Sequence, residues 1–272
     1  MQLHYETLVA NGAQPRHTLM LLHGILGRGG NLRTLAQRFV AQRETWQAVL
    51  IDLRAHGESL GGERQADSMA TAIADVAQLS RSLELPTTAV VGHSFGGKVA
   101  LGLPATQLGI RHIVALDSAP GIVHHGKATV TVLKILDSLR GPWATREDFI
   151  RSIQAYRQPR FLGQWLATNL EAKEGGFVFR LSLPRIRSLL EGYFTTNLWP
   201  SIEAEVNQPS GPCFHFVIAS KSPALDQPTR AHAVQLAKKA EARVTVDFLD
   251  SNHWVHVEDP NGTLSVILSR VK

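Results

Sequence analysis

The sequence predicts an α/β fold. It reads as a mostly parallel, twisted sheet flanked by helices, with a helical segment inserted between the strand ending at Asp117 and the strand starting at Cys213. Three observations predict this. Short apolar, β-branched runs alternate with stretches of helical period, the rhythm of βαβ units. One junction carries Gly92-His93-Ser94-Phe95-Gly96, where a buried strand turns sharply into a helix. The alternation breaks between Gly121 and about Pro212 and then resumes. This divides the chain into a core, residues 1–120 and 211–272, and a mainly helical cap, residues 121–210.

Taken in order, Leu3 to Val9 reads as an edge strand closed by Asn11-Gly12. Thr18 to Leu22 is a continuous apolar run, hence a central strand, and feeds the glycine-rich loop Gly24 to Gly30. Leu32, Leu35, Ala36, Phe39 and Val40 give helical spacing over 31–43. Trp46 to Leu53 is the next strand, and Arg54 to Gly62 a loop. Asp67 or Ser68 caps a helix running to about Leu83. Thr87 to Val91 leads into Ser94, and Pro104 kinks or ends the helix that follows. Ile110 to Leu116 is a strand closing at Asp117-Ser118-Ala119-Pro120. In the inserted segment, 128–139, 145–156, 160–170 and 184–193 read as helices, and 177–181 as a short strand. Thr145 with Asp148 three residues on forms an N-terminal cap signature. A strand at 213–219, a helix at 228–242, a strand at 243–249 and a helix at 259–271 complete the chain.

Composition bounds the function. The 272 residues are 44% hydrophobic, enough for a substantial core. The net charge of +5 comes from scattered residues. Lys238-Lys239 and Arg185 with Arg187 read as solvated faces, so no nucleic-acid partner is expected. Cys213 is the single cysteine and reads as a buried structural thiol. With no internal disulfide to form, the expectation is the cytoplasm or another reducing compartment, an organelle matrix included if a leader has been removed. No run reaches the ~18 apolar residues of a membrane span, and the first ten residues resemble neither a signal nor a transit peptide. His124-His125 lacks further ligands at sensible spacing, so no metal and no cofactor are expected.

Ser94 is the candidate nucleophile, because a strained strand-to-helix turn lifts its hydroxyl above the sheet edge. Gly92 and Gly96 suit the close backbone approach there. A serine hydroxyl needs a general base, and a carboxylate to orient that base. His253 stands in the loop after the last strand, on the same sheet edge as Ser94. His256 is its rival, expected to begin the last helix and face away. For the acid the residues offer Asp117, Asp226 and, less favourably, Asp250. Asp117 ends a strand; Asp226 also suits the helix cap before Gln227-Pro228. Backbone N–H groups of Phe95 and Ile25 are the candidate oxyanion donors. His23 reads as a residue that orients the loop. His23, Leu26, His93, Phe161, Trp165, Tyr193 and Trp254 are the candidate pocket residues, Phe161, Trp165 and Tyr193 forming an apolar roof.

These stretches resemble the α/β-hydrolase superfamily, and within it the small YbfF-type esterases and their plant and mitochondrial abhydrolase-domain relatives. The resemblance lies in His23-Gly24-Ile25-Leu26-Gly27, Asp52-Leu53-Arg54-Ala55-His56-Gly57-Glu58-Ser59, Val91 to Val99, Leu116 to Gly121, Thr196-Asn197-Leu198-Trp199 and His253-Trp254-Val255-His256. It spans almost the whole chain. It implies the α/β-hydrolase fold and a Ser94–His253 pair. It also implies Asp117 as the acid, because Ala219-Ser220-Lys221-Ser222 has no carboxylate where most of the superfamily places one. Asn252 stands where these proteins usually have glycine before the histidine; asparagine tolerates left-handed dihedrals, so the turn survives. Asp117 is also favoured by its short reach from a strand next to the nucleophile strand.

The expectation is therefore a serine esterase or thioesterase that takes small to medium acyl groups through an acyl-enzyme. The alternatives are a catalytically silent ligand-binding or protein-stabilising protein on the same scaffold, and a serine-dependent perhydrolase or C–C hydrolase. The expected partner is a small-molecule acyl ester.

Overall fold

The structure is a computed structural model that describes residues 1–61, 66–106, 109–124 and 126–272. Its centre is a seven-stranded sheet: β1 Tyr5–Leu8, β2 His17–Leu22, β3 Trp46–Ile51, β4 Thr87–His93, β5 His112–Leu116, and then, after the insertion, β8 Cys213–Ala219 and β9 Val244–Leu249. The order is β1-β3-β2-β4-β5-β8-β9; β1 is antiparallel to β3 and all other neighbours run parallel. Parallel strands need crossovers that cover both faces, and the strands are apolar on both sides accordingly. In β2 the alternation is direct. Leu19 and Leu21 pack in one core with Phe39, Leu264 and Ile267, whereas Met20 and Leu22 pack in the other with Val76, Val99 and Leu189.

The crossover helices are α1 Arg33–Val40, α2 Met69–Ser82 and α3 Phe95–Gly102. Of the two candidate caps for α2, Ser68 accepts from the Thr71 N–H, and Asp67 is instead bound by Arg185 and Arg54. The helix after Ser94 ends at Gly102, two residues before Pro104, as a proline without an N–H requires.

The insertion contains α4 Lys127–Ser138, α5 Arg146–Gln154, α6 Arg160–Leu166, the hairpin of β6 Leu170–Lys173 with β7 Gly176–Phe179, α7 Leu183–Thr195 and α8 Trp199–Val206. Thr145 and Asp148 form a reciprocal capping box on α5. The helix expected over 160–170 stops at Leu166. Leu170 to Lys173 has a helix-forming composition, yet it pairs with the strand across Gly175 and Gly176, both at positive φ. The core then closes with α9 Gln227–Lys239, α10 Val255–Glu258 and α11 Pro260–Arg270. No helix among the described residues is long and apolar enough to cross a membrane.

Three expectations need correction. Arg185 is not a solvated charge: it bonds Asp67 and the carbonyls of Leu60 and Gly61, tying α7 to the loop after β3. Cys213 is half-buried at the start of β8, not enclosed. His256 does not face away: it lies on α10 with its ring centroid 4.7 Å from that of His93.

Candidate active site

From Thr87 to Leu103 every residue is buried except Ser94. The turn from β4 into α3 holds Ser94 at φ +52°, ψ −116°, a left-handed backbone that a non-glycine residue adopts only when its surroundings impose it. Its N–H donates to the Leu116 carbonyl at 3.0 Å, and its carbonyl accepts from Ser118 Oγ at 2.6 Å. The glycines around it leave no room for side chains. A Cβ on Gly92 would lie 2.2 Å from the Gly96 oxygen, and one on Gly96 would lie 2.5 Å from the His23 oxygen.

β5 and β8 end beside this turn. Asp117 directly follows β5, wholly buried and at φ +44°. Its Oδ1 accepts from the Ala219 N–H at 3.1 Å, and its Oδ2 accepts from His253 Nδ1–H at 2.7 Å. With Nδ1 protonated, a neutral His253 keeps Nε2 as its acceptor nitrogen. Asp226 is engaged elsewhere, as the N-cap of α9 accepting from the Thr229 N–H at 2.9 Å. Asp250 is exposed and paired with Lys221. Asn252 has no positive φ; its main-chain N–H and side-chain amide both donate to Glu258, and this fixes the loop in place of a left-handed turn.

The loop after β2 is set by two buried histidines. His23 donates from Nδ1 to the Gly24 carbonyl at 2.7 Å and accepts at Nε2 from the Leu53 N–H at 3.0 Å. His56 donates from Nδ1 to the Arg54 carbonyl and accepts at Nε2 from the Leu26 N–H at 3.0 Å. Burial holds both rings below the usual imidazole range, His56 down to about 3, so both are neutral and each can accept an amide proton. His56 takes the Leu26 N–H and Gly24 the Gly27 N–H, so neither of these two amides is available to a ligand's oxygen, whereas the candidate donor Ile25 N–H is engaged by neither bond. His56 and Asn169, whose amide reaches the same loop, were not singled out from the sequence; for His56 the signal was its place in the Asp52–Ser59 stretch.

The other candidate pocket residues fall into two groups. Phe161 and Trp165 on α6 meet Trp254 edge-on, at centroid distances of 5.0 and 5.9 Å, and Trp254 stands 5.8 Å from the His253 ring. Phe161 is half exposed. His23, Leu26, His93 and Tyr193 are buried within the protein. Tyr193 lies behind Phe95, and its hydroxyl accepts from the Ala119 N–H at 3.3 Å. Among the described residues no group of three histidines, cysteines or carboxylates could hold a metal ion. His125 lies outside them.

The chain as a whole is similar to known proteins. Residues 19–265 match the family model described as the alpha/beta hydrolase family. A zebrafish (Danio rerio) protein named sn-1-specific diacylglycerol lipase ABHD11 is 26% identical over 270 residues, covering 96% of this chain and 80% of its own. Esterase YbfF of Escherichia coli is 22% identical, covering 98% of both chains. Among solved structures, a marine microorganism esterase superposes with a TM-score of 0.82 over 99% of both chains at 21% identity.

Proposed function

The chain belongs to the alpha/beta hydrolase family, and from that premise we propose that it is a serine hydrolase cleaving carboxylic esters or thioesters of small to medium acyl groups. The observation that carries this reading is the 2.7 Å bond from His253 Nδ1–H to buried Asp117, beside a serine in strained turn geometry. In the proposed reaction His253 Nε2 takes the Ser94 proton as Oγ attacks the acyl carbonyl, and Asp117 stabilises the imidazolium that forms. The N–H groups of Ile25 and Phe95 receive the negative oxygen of the tetrahedral adduct. His253 then returns the proton to the leaving oxygen or sulfur. The acyl group left on Ser94 is released when His253 activates a water, which regenerates the hydroxyl.

Residues 121–210 act in this reading as a cap, with Phe161 and Trp165 beside Trp254 as the apolar wall for the acyl chain. The lipase and esterase names of the relatives support an acyl ester as the substrate class. A fluorophosphonate probe tests the reading: it should label Ser94 in the wild-type chain and leave Ser94→Ala unlabelled. Hydrolysis of p-nitrophenyl esters of graded chain length should fall by about 10³-fold or more in the same variant. An unlabelled wild-type chain would favour the catalytically silent, ligand-binding scaffold.

A further inference from the structure

Gly24 to Gly27 forms a tight turn, closed by the Gly27 N–H donating to the Gly24 carbonyl at 3.0 Å. Ile25 and Leu26 are its central residues, and Leu26 has φ +63°. A turn with positive φ at that position ordinarily takes glycine or asparagine, and a leucine there is strained. Two hydrogen bonds hold the strained residue, one on each side. Its N–H donates to His56 Nε2 at 3.0 Å, from the core. Its carbonyl accepts from Asn169 Nδ2 at 2.8 Å, from the inserted segment.

Asn169 is itself buried and fixed. It ends the short 3-10 turn Ala167–Asn169 that follows α6, and its own carbonyl accepts from the Arg180 N–H at 3.1 Å. Arg146 on α5 brackets the turn by donating to the carbonyls of Ala167 and Leu170. The Nδ2 group faces two carbonyls, Leu26 at 2.8 Å and Leu166 at 3.4 Å, so the amide is oriented as a donor. The helix that carries Phe161 and Trp165 onto Trp254 therefore also delivers the amide that restrains Leu26.

We propose that Asn169 is a positioning residue for the reaction: its amide locks the Gly24–Gly27 turn in the form that aims the Ile25 N–H at the developing oxyanion, and so makes seating of the insertion a condition for a complete oxyanion hole. This rests on the serine-hydrolase reading above. Without the bond, Leu26 relaxes towards negative φ, the flanking peptides turn, and the Ile25 N–H is displaced. The substrate's ground state loses little, because the donor matters most when charge develops on the oxygen.

The test uses the full chain with a p-nitrophenyl butyrate assay, a phenylboronic acid inhibitor that forms a tetrahedral adduct on serine, and fluorophosphonate labelling of Ser94. Asn169→Ala should lower kcat by about 10- to 100-fold with KM within about two-fold, and weaken boronic acid binding by a similar factor. Asn169→Asp keeps the shape but sets a carboxylate against the Leu26 carbonyl at neutral pH; once protonated it becomes a donor again. Its kcat relative to Asn169→Ala should therefore rise as the pH is lowered towards 5.5, a response that loss of packing would not produce. Wild-type kcat in both variants, or kcat losses that follow a fall in folded fraction with no pH-dependent difference between them, would overturn the proposal alone. Failure of fluorophosphonate to label the wild-type chain would overturn the hydrolase reading and this inference with it.

Discussion

His93 Nε2–H donates to the main-chain carbonyl of His253 at 2.9 Å, so the residue before the candidate nucleophile grips the backbone of the candidate base. Its ring is buried, 4.7 Å from the rings of both His253 and His256, and is held neutral well below the usual imidazole range, by burial first. Gly24 makes room for it, since a Cβ there would stand 2.9 Å from His93 Nδ1. The role is to place the 253 loop rather than to move protons. His93→Phe should keep the volume, lose the bond and lower kcat by about ten-fold with KM nearly unchanged. His93→Gln, which can still donate, should restore part of it. Steady-state kinetics on one short ester with the two variants checks this; equal losses in both would remove the hydrogen bond from the explanation.

Asp117 and Asp226 make a paired prediction. Asp117 accepts from both Ala219 N–H and His253 Nδ1–H, whereas Asp226 accepts from Thr229 N–H at the start of α9. Asp117→Asn should favour the wrong tautomer of His253 and cost about 10²- to 10⁴-fold in kcat. Asp226→Asn should leave kcat near wild type and cost under about 1 kcal/mol of stability, because asparagine caps almost as well. Kinetics and urea denaturation of both variants decide it, and the reverse pattern would exchange their roles.

What could be read from the sequence follows the range of the interactions concerned. β8 begins and ends where its apolar run does, and Ser94 stands at its strand-to-helix turn, because burial on both faces and steric crowding by Gly92 and Gly96 are local. The rivalry between Asp117 and Asp226 could not be resolved from spacing alone: the partner of Asp117 lies 136 residues away, brought near by the order β4-β5-β8-β9. The hairpin from Leu170 hid because Leu-Glu-Ala-Lys is as good a helix as a strand until Phe177 to Phe179 pairs with it. Asn169 carried no sequence signal, since its partner is a carbonyl, and which carbonyl depends on how the insertion seats.

The aromatic contact between α6 and Trp254 predicts a specificity change. Phe161 and Trp165 reach Trp254 edge-on, and Trp254 abuts His253. Phe161→Ala should leave the rate on p-nitrophenyl acetate within about two-fold while lowering kcat/KM on an octanoate ester by about ten-fold, the worth of a few buried methylenes' contacts. Trp165→Ala, more deeply set, should do the same with a larger loss of Tm. A uniform loss across chain lengths would assign these rings to packing alone.

Lys98 supplies the last prediction. It lies on α3 four residues after Ser94, with its side chain wholly buried. Its Nζ donates to the carbonyls of Gly121 at 2.7 Å, Thr196 at 3.0 Å and Tyr193, and sits 4.5 Å from the centre of the Tyr193 ring. No carboxylate stands within salt-bridge reach of it among the described residues. The Nζ group thus ties the start of the inserted segment, at Gly121, and the end of α7, at Tyr193 and Thr196, to the helix that begins directly after Ser94. Lys98→Met should leave three carbonyls without this donor and cost about 3 kcal/mol or more. Burial pushes Lys98 down to about 7, against an unfolded value near 10.4. Between those values the unfolded chain binds more protons than the folded one, so this group makes stability rise from about pH 7 towards pH 10, while below about 7 both states carry the proton and the contribution is flat. Urea denaturation across that range should show the rise in the wild type and a flatter profile in Lys98→Met. Parallel profiles would mean that the three carbonyls hold the ammonium at its ordinary value, and that Lys98 serves the fold as a permanent charge.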